Sequence, residues 1–217
     1  MVEFDIGGTW IRAYLRRGAR TVRSASACTP TRSAARLRAV LRRLYEQVAR
    51  GSSPSSVNVG VAGSVRGARV VRSRNIPALT NFSFVGLFPA VIKITVDNDA
   101  RAFLRRALAR HAALRRGTVL AVTLGTGVGR AVARDGEVRR LKLLERAEPW
   151  ERAYQRRRFE PASTFAAFVA SELASLVERY NPAVLVLGGG VVERKRGFRP
   201  HLMRHLRRWC RVRYVVQ

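Results

Sequence analysis

Two glycine-rich turns in this chain have the residue types that bind phosphate. The first, Gly7-Gly8-Thr9, follows Asp5 at the end of an apolar segment, and the second is Gly125-Thr126-Gly127. Glycine lets the backbone approach an anion closely and turn its amides toward it. The hydroxyl of each threonine adds a donor, and Asp5 is placed to hold a divalent cation directly or through water. The two turns predict a phosphate group held from two sides.

Each turn lies between two short segments rich in apolar and β-branched residues, which predicts a β-hairpin with a glycine-rich tip. Residues 2–6 and 11–15 flank the first turn, and residues 119–124 and 131–133 flank the second. Asp135-Gly136 has the composition of an ordinary hairpin turn. We therefore do not assign it to a site.

The order of the predicted elements occurs twice along the chain. The first half has strands at 2–6, 11–15 and 21–24, a helix over 33–49 and a strand at 57–61; the second has strands at 119–124, 131–133 and 137–141, a helix over 163–180 and a strand at 183–187. A helix over 100–115 separates the halves, and residues 212–216 form a last strand. This repeat predicts an α/β fold with two similar lobes, residues 1–98 and 99–217, facing a cleft.

The composition favours a folded chain whose positive charge is spread over its surface. The 217 residues are 47% hydrophobic, and the formal net charge is +28, almost all of it from arginine. Net charge alone is a weak sign of function, and the arginine pairs recur along the whole chain without a helix-turn-helix or RNA-recognition motif. We interpret the charge as a solvated basic surface and expect no nucleic-acid partner, although a nucleic-acid-binding protein remains an alternative.

The sequence has no apolar run long enough to cross a bilayer, and the N-terminus is acidic at Glu3 and Asp5. We therefore expect a cytoplasmic protein with no membrane partner. Cys28 and Cys210 lie far apart and in no CxxC pair, so no zinc is expected.

Taken together, the motifs resemble the ROK and bacterial-type glucokinases of the actin, hexokinase and Hsp70 superfamily. The turn at Gly7–Thr9 with Arg12 resembles the first phosphate motif of that family, and residues 124–129 resemble the second. Three glycines near the C-terminus, Gly188, Gly189 and Gly190, resemble its adenosine motif. Further stretches similar to the family are residues 60–65, 75–77, 79–84 and the Asn-Asp-Ala motif at 98–100.

The resemblance implies two ribonuclease-H-like lobes around a nucleotide cleft. The β-β-β-α-β-α unit is duplicated, with one copy in each lobe. It implies an ATP- and Mg²⁺-dependent kinase whose substrate is a sugar or a similar small hydroxyl compound. In the family motif the aspartate, here Asp99, takes the proton from the sugar hydroxyl, and the asparagine, here Asn98, holds the sugar. Asn81 falls in a stretch that resembles the glucokinase segment near the sugar, so the resemblance implies a sugar contact for it too. Asp99 also precedes a predicted helix, so a helix N-cap is the structural alternative.

The stretch that binds sugar hydroxyls in the family, Gly-Glu-x-Gly-His, has no counterpart after the second turn. Candidate substitutes for its carboxylate are Glu148, Glu151 or Glu160, with Glu148 assigned to the site, although the mixed charges around them are also typical of an exposed helix. A nucleotide-binding sensor or a slow ATPase without sugar phosphorylation is therefore the second hypothesis. By analogy with similar families, the chain could form a homodimer.

Overall fold

The computed structural model describes residues 1–18, 20–139, 149–209 and 211–214. The chain divides into two compact units, Met1–Ala102 and Phe103–Gln217. Each unit contains a five-stranded sheet, and each is described separately below.

The first unit is built from eight strands and one long helix, and it ends in the first turn of a second helix. Its elements are β1 (Val2–Ile6), β2 (Trp10–Arg17), β3 (Arg20–Cys28), α1 (Ala34–Ala49), β4 (Ser56–Val61), β5 (Ser64–Arg66), β6 (Arg69–Arg72), a 3-10 helix (Pro77–Leu79), β7 (Phe82–Ser83), β8 (Lys93–Asn98) and the start of α2 (Asp99–Arg110).

The second unit begins within α2 and repeats the strand pattern of the first. Its further elements are a 3-10 helix (Ala112–Arg115), β9 (Thr118–Leu124), β10 (Val128–Arg134), β11 (Glu137–Arg139), α3 (Pro149–Arg157), α4 (Ala162–Tyr180), β12 (Val184–Gly188), α5 (Gly190–Arg194), α6 (Phe198–Leu206) and β13 (Arg211–Tyr214).

The two large sheets have the same topology. The strand order is β3-β2-β1-β4-β8 in the first unit and β11-β10-β9-β12-β13 in the second. In each sheet the three strands on one side run parallel, and the hairpin partners run antiparallel. This repeated order confirms the predicted α/β fold with two ribonuclease-H-like halves. The first unit has an additional small antiparallel sheet, β5-β6-β7.

Each unit has its own hydrophobic core. In the first, α1 buries Leu37, Leu41, Leu44 and Val48 at helical spacing, because only one face of the helix is apolar. The helix begins at Ser33, whose hydroxyl accepts a hydrogen bond from the amide of Arg36 at 3.2 Å. In the second unit, α4 and α6 pack their apolar faces within one cluster that includes β9 and β12.

The helix predicted over residues 100–115 is shorter in the structure. It ends at Arg110, and a 3-10 helix follows from Ala112. Arg115 accounts for this end, because its side chain turns back and donates to the carbonyls of Leu108 and Ala109, at 3.0 and 3.4 Å. Those carbonyls lie in the last turn of a helix, where acceptors otherwise lack partners.

The turn at Asp135-Gly136 and the length and apolarity of the helices can also be compared with the sequence expectations. Asp135 and Gly136 form the turn between β10 and β11, both with positive φ, as a tight hairpin turn requires. Within the described ranges, no helix is both long and apolar enough to cross a membrane.

Candidate functional site

The first glycine-rich turn connects β1 to β2 and is held from the side by one residue. The amide of Gly7 donates to the carbonyl of Trp10 at 3.0 Å, which closes the turn. Thr29, just after β3, donates its hydroxyl to the carbonyl of Gly7 at 2.7 Å, and its amide donates to the carbonyl of Thr9 at 3.0 Å. Gly8 and Thr9 lie at the tip, where Thr9 is exposed. The backbone of the turn is therefore fixed while its tip faces solvent.

Charged residues and one glycine form a row across the first sheet. Asp5 lies opposite Arg12 on β2 and opposite Gly60 on β4, and Gly60 in turn lies opposite Asp97 on β8. Neighbouring residues in register share a face of a sheet, and an Arg12 nitrogen lies 3.5 Å from an Asp5 oxygen. With strands about 4.8 Å apart, the Cα atoms of Asp5 and Asp97 are separated by roughly 10 Å.

Gly60 allows the first turn of α2 to pack closely against the sheet at this row of residues. A Cβ atom at residue 60 would lie 3.0 Å from the Cβ of Ala102 and 3.8 Å from the Cα of Asp99. The absence of a side chain at Gly60 therefore allows Asp99 to lie above the sheet, over the strand between Asp5 and Asp97. Asp99 is partly exposed and belongs to the first turn of α2.

The N-terminus of α2 is capped by two neighbouring side chains. The amide of Ala100 donates to Asn98 Oδ1 at 3.0 Å and to Asp99 Oδ1 at 2.9 Å. The N-cap expected at Asp99 is therefore shifted by one residue: Asn98 is in the cap position, and Asp99 is the first residue of the helix. Capping fixes the Asp99 carboxylate at the junction of strand and helix, so it does not compete with a chemical role.

A buried arginine, absent from the residues singled out in the sequence, lies in the first turn of α2. Arg101 Nε donates to Asp97 Oδ1 at 2.6 Å, and only 8% of the Arg101 side chain is exposed. Burial lowers the pKa of Arg101, while the negative charge of Asp99 acts in the opposite direction. The positive charge of the enclosed Arg101 guanidinium therefore interacts with both carboxylates, Asp97 and Asp99. The two residues are four apart in sequence, but Asp97 lies on β8 and Arg101 on α2, so helical periodicity gave no signal for this pair.

Asn98 is connected to the small sheet through Gly63. Its side-chain amide donates to the carbonyl of Gly63 at 3.2 Å. A Cβ at residue 63 would lie 2.6 Å from the carbonyl oxygen of Arg72 at the end of β6, so only glycine fits there. Asn81 lies in the turn before β7, exposed and with φ of +58°, a conformation that asparagine tolerates well. The structure thus gives a conformational reason for the asparagine at position 81.

The second glycine-rich turn connects β9 to β10. The amide of Gly125 donates to the carbonyl of Gly127 at 3.0 Å. A Cβ at Gly125 would meet no heavy atom within 4 Å, so the space beside this residue is open. Thr126, at the centre of the turn, is partly exposed.

Three side chains on or just after α3 hold the carbonyls of this second turn. The hydroxyl of Tyr154 donates to Gly125 O at 2.8 Å, the amide of Gln155 donates to Thr126 O, and Arg158 Nη1 donates to Thr126 O at 3.4 Å. Tyr154 is fully buried, and burial raises its pKa. Sequence reasoning missed all three, because the only signal was the aromatic spacing of Trp150 and Tyr154.

The predicted adenosine motif packs directly against the second turn. Gly188, at the end of β12, lies opposite Thr123 on β9. Gly189 has φ of +96°, and a Cβ there would lie 2.6 Å from the carbonyl oxygen of Leu124. Gly190 begins α5. The close approach at Gly189 brings two glycine motifs into contact, the first of residues 125–127 and the second of residues 188–190.

The remaining predicted residues do not complete a metal centre on protein side chains alone. Among the described residues, no three His, Cys, Asp or Glu side chains lie close enough together to hold a metal ion. Glu148, the predicted sugar-side carboxylate, lies outside the described residues, as does Cys210. Cys28 is an exposed free thiol at the end of β3.

Solved structures with the same fold include sugar kinases. A ROK family glucokinase from Streptomyces griseus, in complex with glucose and AMPPNP, has a TM-score of 0.83 and 20% identity over 98% of this chain and 93% of that one. An inorganic polyphosphate/ATP-glucomannokinase from Arthrobacter sp. strain KM has a TM-score of 0.79 and 22% identity, covering 100% and 90%. A ROK hexokinase from Thermus thermophilus has a TM-score of 0.70 and 23% identity, covering 98% and 91%.

At these identities the structural similarities establish the fold. No curated protein sequence matches the chain significantly. The sequence profile of the ROK family matches residues 1–140, which is more than half of the chain and includes both glycine-rich turns and the Asn98-Asp99 pair. The chain therefore belongs to the ROK family, as its motifs indicate.

Proposed function

We propose that this protein is an ATP-dependent kinase that phosphorylates a hydroxyl group of a hexose or a related small compound. The observation that carries the proposal is the position of Asp99. The carboxylate is fixed at the start of α2, partly exposed, and lies over Gly60 on the face of the sheet that also presents Asp5. Membership of the ROK family, whose similar structures include glucokinases and a hexokinase, supports the same function.

In this proposal Asp99 is the general base, which accepts the proton of the attacking hydroxyl. Such a base must stay ionised and must lie within hydrogen-bond reach of that hydroxyl. The enclosed guanidinium of Arg101 favours the ionised form, since an opposite charge nearby stabilises a carboxylate. Asn98, held by Gly63 and by Ala100, would bind the sugar together with Asn81. Glu148 remains a predicted contact to the same substrate.

The residues present fit a nucleotide. The amides of Gly7 and Gly125 close their own turns. In each turn, taken by itself, the following backbone amides and the threonine hydroxyl, at Gly8 and Thr9 in the first and at Thr126 and Gly127 in the second, are of the donor type that phosphate oxygens require. The open space beside Gly125 leaves room for a ligand at the backbone. Gly188, Gly189 and Gly190 would accept the nucleoside, because they adjoin the second turn directly.

Mg²⁺ is the divalent cation that we expect with the nucleotide. Mg²⁺ is usually held by one or two carboxylates, with phosphate oxygens and water completing its shell. Asp5 alone could therefore provide the carboxylate, directly or through water, and no cluster of protein ligands is needed. Bound Mg²⁺-ATP would supply the phosphoryl group and neutralise the charge that develops during its transfer.

ADP release from Mg²⁺-ATP tests the proposal. We would measure it with a panel of hexoses, N-acetylated amino sugars and polyols, and repeat the panel with inorganic polyphosphate as donor, since one similar structure is a polyphosphate/ATP-glucomannokinase. One class of sugar should raise turnover in the unmodified protein. Replacing Asp99→Asn should lower that turnover by about 100-fold or more, the size expected for loss of a general base, with ATP affinity changed by less than about twofold.

Asp135→Asn is the matched control. Asp135 carries the same carboxylate but lies in the exposed turn between β10 and β11, in a conformation that asparagine tolerates, so activity should be unchanged. Equal activity in the Asp99→Asn protein would refute the assignment of the base. ATP binding without any response to sugar would refute the kinase and favour a nucleotide sensor or slow ATPase.

A further inference from the structure

One arginine beside the second glycine-rich turn has donors that the described protein groups do not use. Arg158 follows α3 directly, and its Nη1 donates to the carbonyl of Thr126 at 3.4 Å. This distance is longer than that of a strong hydrogen bond. Its Nε is enclosed, and no acceptor among the described residues accepts its proton. The guanidinium therefore lies at the turn with incompletely satisfied donors.

Two neighbouring basic side chains have the strong acceptors that Arg158 lacks among the described residues. Arg157 donates to the carboxylate of Glu160 at 3.0 Å, whereas Arg158 lies over the ring of Phe159. Lys195 donates to the carbonyls of Arg158 and Glu160, at 3.1 and 2.7 Å. Lys195 thus fixes the backbone of Arg158, while the Arg158 side chain has no carboxylate partner within the described part of the chain.

The local chemistry favours an anion as the missing acceptor. A guanidinium has five N–H donors and no acceptor, and its fork matches the spacing of phosphate oxygens. The same turn has open space beside Gly125, and its carbonyls are tied to Tyr154, Gln155 and Arg158. A phosphate at this turn would meet a guanidinium that is already in position.

We propose that Arg158 is a phosphate-binding residue, which contacts the phosphate chain of the nucleotide beside Thr126. This inference rests on the proposed function, because it assigns one more residue to the nucleotide site. Its role is distinct from that of Tyr154 and Gln155, whose hydrogen bonds to the carbonyls of the turn orient the backbone. Arg158 would add a positive charge directed at the ligand.

Nucleotide binding distinguishes this role from a structural one. We would titrate the full-length protein with ATP and with adenosine by competition against a fluorescent nucleotide, for the unmodified chain and for Arg158→Gln and Arg158→Lys. A charge-assisted contact to phosphate should raise the Kd for ATP by about tenfold in Arg158→Gln, and by less in Arg158→Lys. The Kd for adenosine should stay the same in both variants.

Arg156→Gln is the matched control, because Arg156 is the exposed arginine on the last turn of the same helix. Its ATP affinity should equal that of the unmodified protein. An unchanged Kd for ATP in both Arg158 variants would overturn the inference but leave the proposed function intact. Equal loss of ATP and adenosine affinity would also overturn it, since that result indicates a structural role. If the unmodified protein bound neither compound, both proposals would fail.

Discussion

Replacing Gly189→Ala is predicted to destabilise the second unit strongly. The backbone of Gly189 has φ of +96° and ψ of +163°, a region that is essentially restricted to glycine and costs other residues about 1–3 kcal/mol. The new Cβ would also lie 2.6, 2.9 and 3.0 Å from backbone atoms of Leu124. Backbone cannot rotate away as a side chain can, so the clash adds about 1–3 kcal/mol. Together the free energy of unfolding should fall by about 2–6 kcal/mol.

Urea denaturation followed by circular dichroism would measure this loss. Gly197→Ala separates the two contributions, because Gly197 also has positive φ, +76°, but a Cβ there would lie at ordinary contact distances of 3.7 and 3.8 Å. It should lose only about 1–2 kcal/mol, the cost of the left-handed conformation. Gly125→Ala, with open space and no positive φ, should lose less than about 1 kcal/mol.

The ranking of the three variants is the decisive result. If Gly189→Ala were as stable as Gly197→Ala, within about 0.5 kcal/mol, the contact with Leu124 would not restrict residue 189. The reasoning that close packing joins the third glycine motif to the second turn would then be wrong.

Two further predictions concern buried polar groups. Arg101→Gln should destabilise the first unit by about 3 kcal/mol, because it removes the buried guanidinium that pairs with the Asp97 carboxylate. A double variant that also carries Asp97→Asn should recover most of this loss in the same urea assay. Additive losses from the two substitutions would contradict the pairing. Burial raises the pKa of Tyr154 above its ordinary value near 10, so above pH 10 the unfolded chain loses this proton while the folded protein retains it. The stability from Tyr154 is thus fully present below pH 10 and decreases as pH rises further. The Tyr154→Phe protein should be less stable at neutral pH by about 1–2 kcal/mol, since Gly125 O loses its donor. Its free energy of unfolding should also decrease less between pH 10 and 11 than that of the unmodified protein. Equal decreases in the two proteins would refute the raised pKa of Tyr154.

The hairpins and the first helix were predictable because their signals are local. The β1–β2 hairpin, α1 and α4 agree with the predicted ranges to within a few residues, since apolar periodicity and turn residues lie within each element. Ser33 marked the start of α1 in the sequence and caps it in the structure. The repeated order of strands also made the two similar sheets predictable.

Elements without an apolar pattern were missed or shortened. β3 was predicted over residues 21–24 but extends from Arg20 to Cys28. In its second half the residues that face the core are only alanines, Ala25 and Ala27, so the alternation with serine is a weak strand signal. The small sheet β5-β6-β7 has strands of only two to four residues. Strands this short form through pairing with one another, and a single segment carries no periodic signal for them.

The glycines of the candidate site could be predicted, but the residues that hold them could not. Gly7, Gly125 and Gly189 are visible as motifs, because a close backbone approach requires glycine. Thr29 and Tyr154 reach the turns across 22 and 29 residues of sequence. Only the folded chain shows which hydroxyl meets which carbonyl.

The hydroxyl contacts at Gly7 and Gly125 have an entropic consequence. A loose glycine turn samples many backbone conformations, and ordering three of its residues would oppose ligand binding by roughly 3–6 kcal/mol. Thr29 and Tyr154 come from different elements, yet each donates to the carbonyl of the first glycine of its turn. Both turns therefore lose their conformational freedom when the chain folds, before any ligand arrives. A ligand that binds to them meets preorganised backbone, so more of its interaction free energy appears as affinity.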